Sequence, residues 1–111
     1  MAKKSDFAFL DELLAVINER SGDDPKSSYT AKLLGKGTEK IAQKLGEEAV
    51  ELAIAAVKGK RAQSVTESAD LLYHLLVLWA DAGIAPAEIA DELKKRRSQS
   101  GLAEKAGRRD G

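Results

Sequence analysis

Five carboxylates stand at spacings that matter if the chain is helical around them: Glu47-Glu48-x-x-Glu51 and Glu67-x-x-Asp70. At about 100° per residue, Glu48 and Glu51 lie roughly 60° apart on one helix. With Glu47 at zero, Lys44, Glu48 and Glu51 fall between about 40° and 100°. Val50 and Ile54 flank that strip on one side; Ile41, Leu45 and Leu52 flank it on the other. In the second helix, Glu67, Asp70, His74 and Asp81 share a stripe about 60° wide, and the remaining directions carry Leu, Val, Trp and Ala. Unpartnered ionised carboxylates are costly to bury, and like charges brought together cost more. Two facing acidic stripes bordered by apolar residues therefore call for a cation between them. Oxygen-only ligands select a hard ion, which makes Mg2+ the expected cofactor, with Mn2+ as a substitute.

The plainer alternatives are specific. An isolated Glu-x-x-Glu is ordinarily a solvated helix face, and Ser64-x-x-Glu67 also fits a capping box at a helix start. What favours a metal is the recurrence of the pattern on two adjacent helices. No His-Glu-x-x-His zinc motif or Gly-x-Ser-x-Gly elbow is present. Gly35-Lys36-Gly37-Thr38 only faintly resembles the end of a phosphate loop: Gly follows Lys36, Thr30 stands where the upstream Gly belongs, and no strand precedes it. A di-iron bundle would want Glu-x-x-His, and the third-residue partners here are Glu51 and Asp70. The one histidine, His74, is one turn beyond Asp70 and reads as a hydrogen-bonded core residue that could orient it.

An all-carboxylate magnesium site suits hydrolysis of a phosphoanhydride. The metal neutralises charge on phosphate oxygens and activates water, and a carboxylate accepts the proton. Lys44 and Lys40 lie one and two turns from the acids and could hold phosphates. Ordinary exposed pairing, such as Lys44 with Glu48 at i,i+4, is the alternative; it stands level with the phosphate reading for Lys44 and is preferred for Lys40.

The elements that must position these residues are helical. In 111 residues, 43% are hydrophobic and 32% charged, a globular composition rich in helix formers and poor in β-branched and aromatic residues. The apolar spacing predicts helices over residues 7–20, 28–34, 38–58, 61–82 and 86–97, with stops at Gly35/Gly37, Gly59 and Gly83 and Pro86 in a first turn. Leu71 to Ala80 is apolar in nearly every direction, which predicts a helix buried all round. The expected fold is all-α: a bundle of four to five helices per chain, completed by homodimerisation. Residues 1–97 form the expected domain, and the Gly-, Ser- and charge-rich 98–111 an expected flexible tail. Eighteen basic and eighteen acidic residues balance, so nothing asks for a nucleic acid or a membrane surface. There is no Cys for a disulfide, zinc thiolate or nucleophile, and no apolar run long enough for a signal peptide or a membrane span. A soluble cytoplasmic protein is the expectation.

Glu48-x-x-Glu51, fifteen residues (52 to 66), then Glu67-x-x-Asp70 resembles the signature of the MazG-like all-α nucleotide pyrophosphohydrolases. The runs Ser28 to Leu34, Lys44 to Glu51 and Glu67 to Leu78 narrow that resemblance to the phosphoribosyl-ATP pyrophosphohydrolase family, over about residues 7–97. The resemblance implies hydrolysis of a small molecule, phosphoribosyl-ATP, to phosphoribosyl-AMP and pyrophosphate, the second step of histidine biosynthesis, by a homodimer. It implies Glu48, Glu51, Glu67 and Asp70 as metal ligands, and Glu47 as an accessory acid, either a further ligand or the base that activates water. It places Ser28, Tyr29 and Lys32 near the substrate. Some members are fused to a cyclohydrolase; the length and lack of Cys lead us to expect the stand-alone form. The close alternative is a house-cleaning hydrolase of (deoxy)nucleoside triphosphates, which would share the metal site. A more distant one is a helical dimerisation module without catalysis.

Overall fold

The computed structural model describes residues 8–97, and all regular elements in that range are helices: α1 (Phe9–Arg20), α2 (Tyr29–Lys36), α3 (Thr38–Val57), α4 (Arg61–Ala82) and α5 (Pro86–Arg97). The expected helix start at Phe7 and the expected tail, 98–111, lie outside the described residues.

The boundaries follow local chemistry. Ser28 caps α2: its backbone is extended, and its Oγ accepts the Ala31 N–H at 3.1 Å, satisfying a donor that a helix start otherwise leaves unpaired. After α3 the chain reverses through Gly59, at φ 70°. There the Gly59 N–H bonds Ala56 O and the Lys60 N–H bonds Ala55 O, each at 3.0 Å, the paired closure of a Schellman motif. Gly83 repeats the device at the end of α4, with Ile84 N–H on Trp79 O at 2.9 Å. At α5, Pro86 occupies the first turn, and Glu88 reaches back to accept the Ala85 N–H at 2.9 Å.

The short reversal after α3 makes α3 and α4 an antiparallel helical hairpin, against which α1 and α2 pack. The core is Ile17, Leu33, Ile41, Leu76, Val77 and Trp79, with Leu10, Leu13, Leu14 and Leu75 around it. Fully burying side chains such as Ile17, Ile41, Leu76 and Val77 contributes about 1.5–3 kcal/mol each. Polar bonds add direction. The Tyr73 hydroxyl receives an N–H from Arg20 at 3.1 Å and is hydrogen-bonded to Thr30, joining α1, α2 and α4.

The expectation that Leu71 to Ala80 is buried all round holds from Tyr73 to Ala80, where no residue is exposed, and fails nearer the start of α4. His74, Leu76, Val77 and Trp79 are buried, but Leu72 is 46% exposed and Val65 64% exposed. On α3, Val50, Ile54 and Val57 are exposed too, at helical i, i+4, i+7 spacing. A single chain of this size leaves an apolar stripe uncovered. No helix among the described residues is long and apolar enough to cross a membrane.

Candidate functional site

Glu48 comes from the middle of α3, and Glu67 and Asp70 from the second and third turns of α4. The hairpin brings one oxygen of each to within 4.8 Å of the other two. Glu51, one turn after Glu48, is not one of these three, but its charge acts on both Glu48 and Glu67.

The surroundings are poor for bare negative charge. Oε2 of Glu48 and Oε2 of Glu67 are shut off from solvent and have no hydrogen-bond partner. Burial first, then the Glu51 carboxylate, pushes the Glu48 carboxyl above the usual carboxylate range; Asp70 adds to the push. Glu67 is pushed up by the same causes in the same order, with Asp70 and Glu48 contributing after Glu51. A buried acceptor without a donor is a destabilising defect unless something else fills its place. A hard cation fits: the donors are all oxygen, and ligands on opposite sides of a magnesium ion stand about 4 Å apart.

Ser64-x-x-Glu67 is not a capping box. Helix α4 starts at Arg61, with Lys60 at its N-cap position, and the Ser64 hydroxyl donates to Lys60 O at 2.8 Å. That leaves Glu67 inside the helix and its carboxylate free to face α3. Asp81 shares the azimuth of Glu67 and Asp70 but not the site: it accepts the Thr38 hydroxyl at 2.6 Å, far along the helix.

His74 is buried beside the cluster. Its Nδ1 lies 2.8 Å from the main-chain oxygen of Asp70, and its Nε2 lies 3.0 Å from the Tyr29 hydroxyl. A carbonyl can only accept, so Nδ1 carries the proton; in the neutral ring Nε2 then accepts from Tyr29. His74 thus fixes the Asp70 backbone and the Tyr29 ring, not the Asp70 carboxylate.

Toward the N-terminus of α3 the character reverses. A cleft of about 290 Å³ between α2 and α3 is lined by Tyr29, Lys32, Leu33, Lys36, Lys40, Lys44 and Glu47. A shallower one, of about 480 Å³, adjoins it through Tyr29 and Lys32 and includes Ser28. Lys44 pairs with Glu47 at 3.3 Å, not with Glu48, and Glu47 also receives Gln43 at 2.9 Å. The bonds from Gln43 and Lys44 hold the Glu47 carboxyl below its ordinary range, and Glu47 raises Lys44 in return. Lys40, expected as an ordinary exposed pair, is half-buried and has no carboxylate at ion-pairing distance among the described residues. Lys36 was no part of the expected site, although Lys32, Lys36, Lys40 and Lys44 recur every four residues. The Gly37 turn between α2 and α3 hides that spacing from a single-helix reading.

The sequence profile of the phosphoribosyl-ATP pyrophosphohydrolase family matches residues 10–97, which include the acids and the lysine cleft. The chain belongs to this family. Within it, the chain is 58% identical to the phosphoribosyl-ATP pyrophosphatase of Azospirillum brasilense over 102 residues, 92% of each chain. It is 54% identical to that of Paramagnetospirillum magneticum, covering 93% of this chain and 94% of the relative. Against that of Gluconobacter oxydans it is 52% identical, over 89% of this chain and 74% of the relative.

Proposed function

We propose that the protein hydrolyses phosphoribosyl-ATP to phosphoribosyl-AMP and pyrophosphate, the second step of histidine biosynthesis. Water attacks phosphorus at the anhydride link between the α and β phosphates: a new P–O bond forms, the bond to the bridging oxygen breaks, and pyrophosphate and phosphoribosyl-AMP separate. The observation that carries the reading at the level of chemistry is the pair of orphaned, buried oxygens on Glu48 and Glu67 within one carboxylate cluster. The names of the similar proteins supply the substrate.

Glu48, Glu51, Glu67 and Asp70 are the proposed ligands of Mg2+. When bound, the ion neutralises charge on the phosphates and makes water a better nucleophile. Glu47 and Glu48 are the proposed acceptors of the water's proton; each is adjacent to the other in the chain, and Glu47 also positions Lys44. Lys44 and Lys32 supply positive charge to the phosphates, and Tyr29, held by His74, offers a ring wall for the nucleoside. Ser28 lines the adjoining cleft while its hydroxyl serves the α2 cap.

A second copy of the chain is the proposed cover for the stripe of Val50, Ile54 and Val57 on α3 with Val65 and Leu72 on α4. Val57 is 88% exposed, and a homodimer would add the buried area that a chain this small lacks. Sedimentation should give a dimer for the wild type and a monomer for Ile54→Glu; a monomeric wild type contradicts the assembly.

Pyrophosphate release with magnesium tests the activity, comparing phosphoribosyl-ATP with a panel of nucleoside triphosphates. Preference for phosphoribosyl-ATP is expected. Preference for a nucleoside triphosphate would keep the metal chemistry and overturn the pathway assignment.

A further inference from the structure

We infer that the far end of the lysine cleft, at Lys36 and Lys40, receives the 5′-phosphate of the substrate's second ribose and so selects phosphoribosyl-ATP over ATP. This rests on the activity proposed above and adds the determinant of substrate choice.

Three observations converge. First, position: Lys44 is one turn from Glu48, but Lys40 is two turns away, about 12 Å along the axis of α3. Side chains on a helix lean toward its N-terminus, so Lys40 leans away from the acids. Lys36, across the Gly37 turn, lines the same cleft. With the α–β anhydride at the carboxylates, the γ-phosphate is only a further anhydride link away and belongs beside Lys44. It does not extend to Lys36.

Second, charge: Lys44 already has Glu47 at 3.3 Å. Among the described residues, Lys36 and Lys40 have no ion-pair partner. Lys40 is nonetheless half-buried, and the acid whose charge it feels, Glu47, is already bonded by Lys44 and Gln43, which leaves the Lys40 ammonium short of a direct counter-charge. A chain with balanced charge has gathered four lysines around one opening.

Third, chemistry: phosphoribosyl-ATP differs from ATP by a ribose bearing a phosphate monoester, a compact dianion remote from the triphosphate. Two ammonium groups at the remote end of the cleft match that one added group. Tyr29 lines the same cleft as Lys36, Lys40 and Lys44, and the cleft that adjoins it.

The test compares wild type, Lys36→Gln/Lys40→Gln and Lys36→Arg/Lys40→Arg, reading kcat/KM on phosphoribosyl-ATP and the inhibition constant of AMP. AMP shares the nucleotide half but lacks the second ribose phosphate. The glutamine pair should lower kcat/KM on the order of a hundredfold, since a bond between charged partners is worth enough for about tenfold each. Its inhibition by AMP should be unchanged, and the arginine pair should recover most of the loss. An unchanged AMP constant also establishes that the variant is folded. If the glutamine pair keeps wild-type kcat/KM, or loses AMP binding equally, the assignment is overturned. A wild type that ignores phosphoribosyl-ATP overturns the activity itself, a result visible before any variant is made.

Discussion

Helix α3 carries Lys40 and Lys44 in its first half and Glu48 and Glu51 in its second, and the two halves meet different surroundings. The glutamates turn toward the acids of α4, where oxygens of Glu48 and Glu67 are sealed from water without a donor. The lysines turn toward α2, where the cleft is open and the acid that lines it, Glu47, is well satisfied by Gln43 and Lys44. Glu47 and Glu48 are neighbours in sequence, yet their carboxyls move in opposite directions: down where hydrogen bonds favour the charge, up where burial opposes it. Adjacent positions on a helix are about 100° apart. That rotation suffices to separate a surface ion pair from buried carboxylates that a cation would satisfy.

The largest effect should come from neutralising the sealed side. Glu48→Gln, Glu51→Gln, Glu67→Gln and Asp70→Asn should each cut pyrophosphate release by more than the roughly 10- to 100-fold that losing an outer partner of a metal site costs. The far-ultraviolet helical signal should persist. Near-normal turnover in Glu67→Gln would remove it from the ligand set.

On the open side the change should be smaller. Lys44→Ala should raise KM about tenfold, the scale of one charge-assisted contact. An unchanged KM would leave Lys44 as the surface partner of Glu47.

The two sides also differ in their dependence on pH. Without metal, Glu48 and Glu67 hold protons more tightly in the folded chain than in the unfolded one. Their contribution to stability is therefore present below about pH 4.5 and is lost as pH rises through the elevated values. Metal-free Glu48→Gln should melt above the metal-free wild type at about pH 8, and magnesium should reverse the order by stabilising only the wild type. Equal melting temperatures at both pH extremes would mean that burial of Glu48 carries no cost. The depressed Glu47 acts in the opposite sense, losing stability in acid, and is common to both proteins.

The smallest effect belongs to a residue that lies near the cleft but serves the fold. Ser28→Ala should destabilise the protein by about 1 kcal/mol through loss of the α2 cap, with KM nearly unchanged. A rise in KM without loss of stability would give the Ser28 hydroxyl to the substrate.

Much of this was legible in the sequence because the signals were local. Gly59 and Gly83 end α3 and α4 by closures that need a left-handed residue, and Pro86 suits a first turn, so those helices fall where their punctuation predicts. The acids stood out because apolar neighbours bordered them. Features fixed by height along an axis, or by two elements at once, were hidden. Asp81 shares the azimuth of Asp70 but lies eleven residues on, about 16 Å away, and bonds Thr38 instead. Ser64 and Glu67 fit a capping box by spacing, but Arg61 had already started the helix. Lys36 joined the lysine cleft across a turn, where helical periodicity carries no information. Val50 and Ile54 border the acids as expected, yet they are exposed in the single chain, because what would cover them is not local to the sequence.

The central claim is that the carboxylates of α3 and α4 hold the ion on which turnover depends. Its most direct test is the rate of pyrophosphate release from phosphoribosyl-ATP as magnesium is titrated into metal-free wild type and metal-free Glu67→Gln. The wild type should rise from no activity to a plateau, while Glu67→Gln should stay near the baseline or need far more magnesium. Identical magnesium curves for the two proteins, or full wild-type activity in the presence of a chelator, would contradict it.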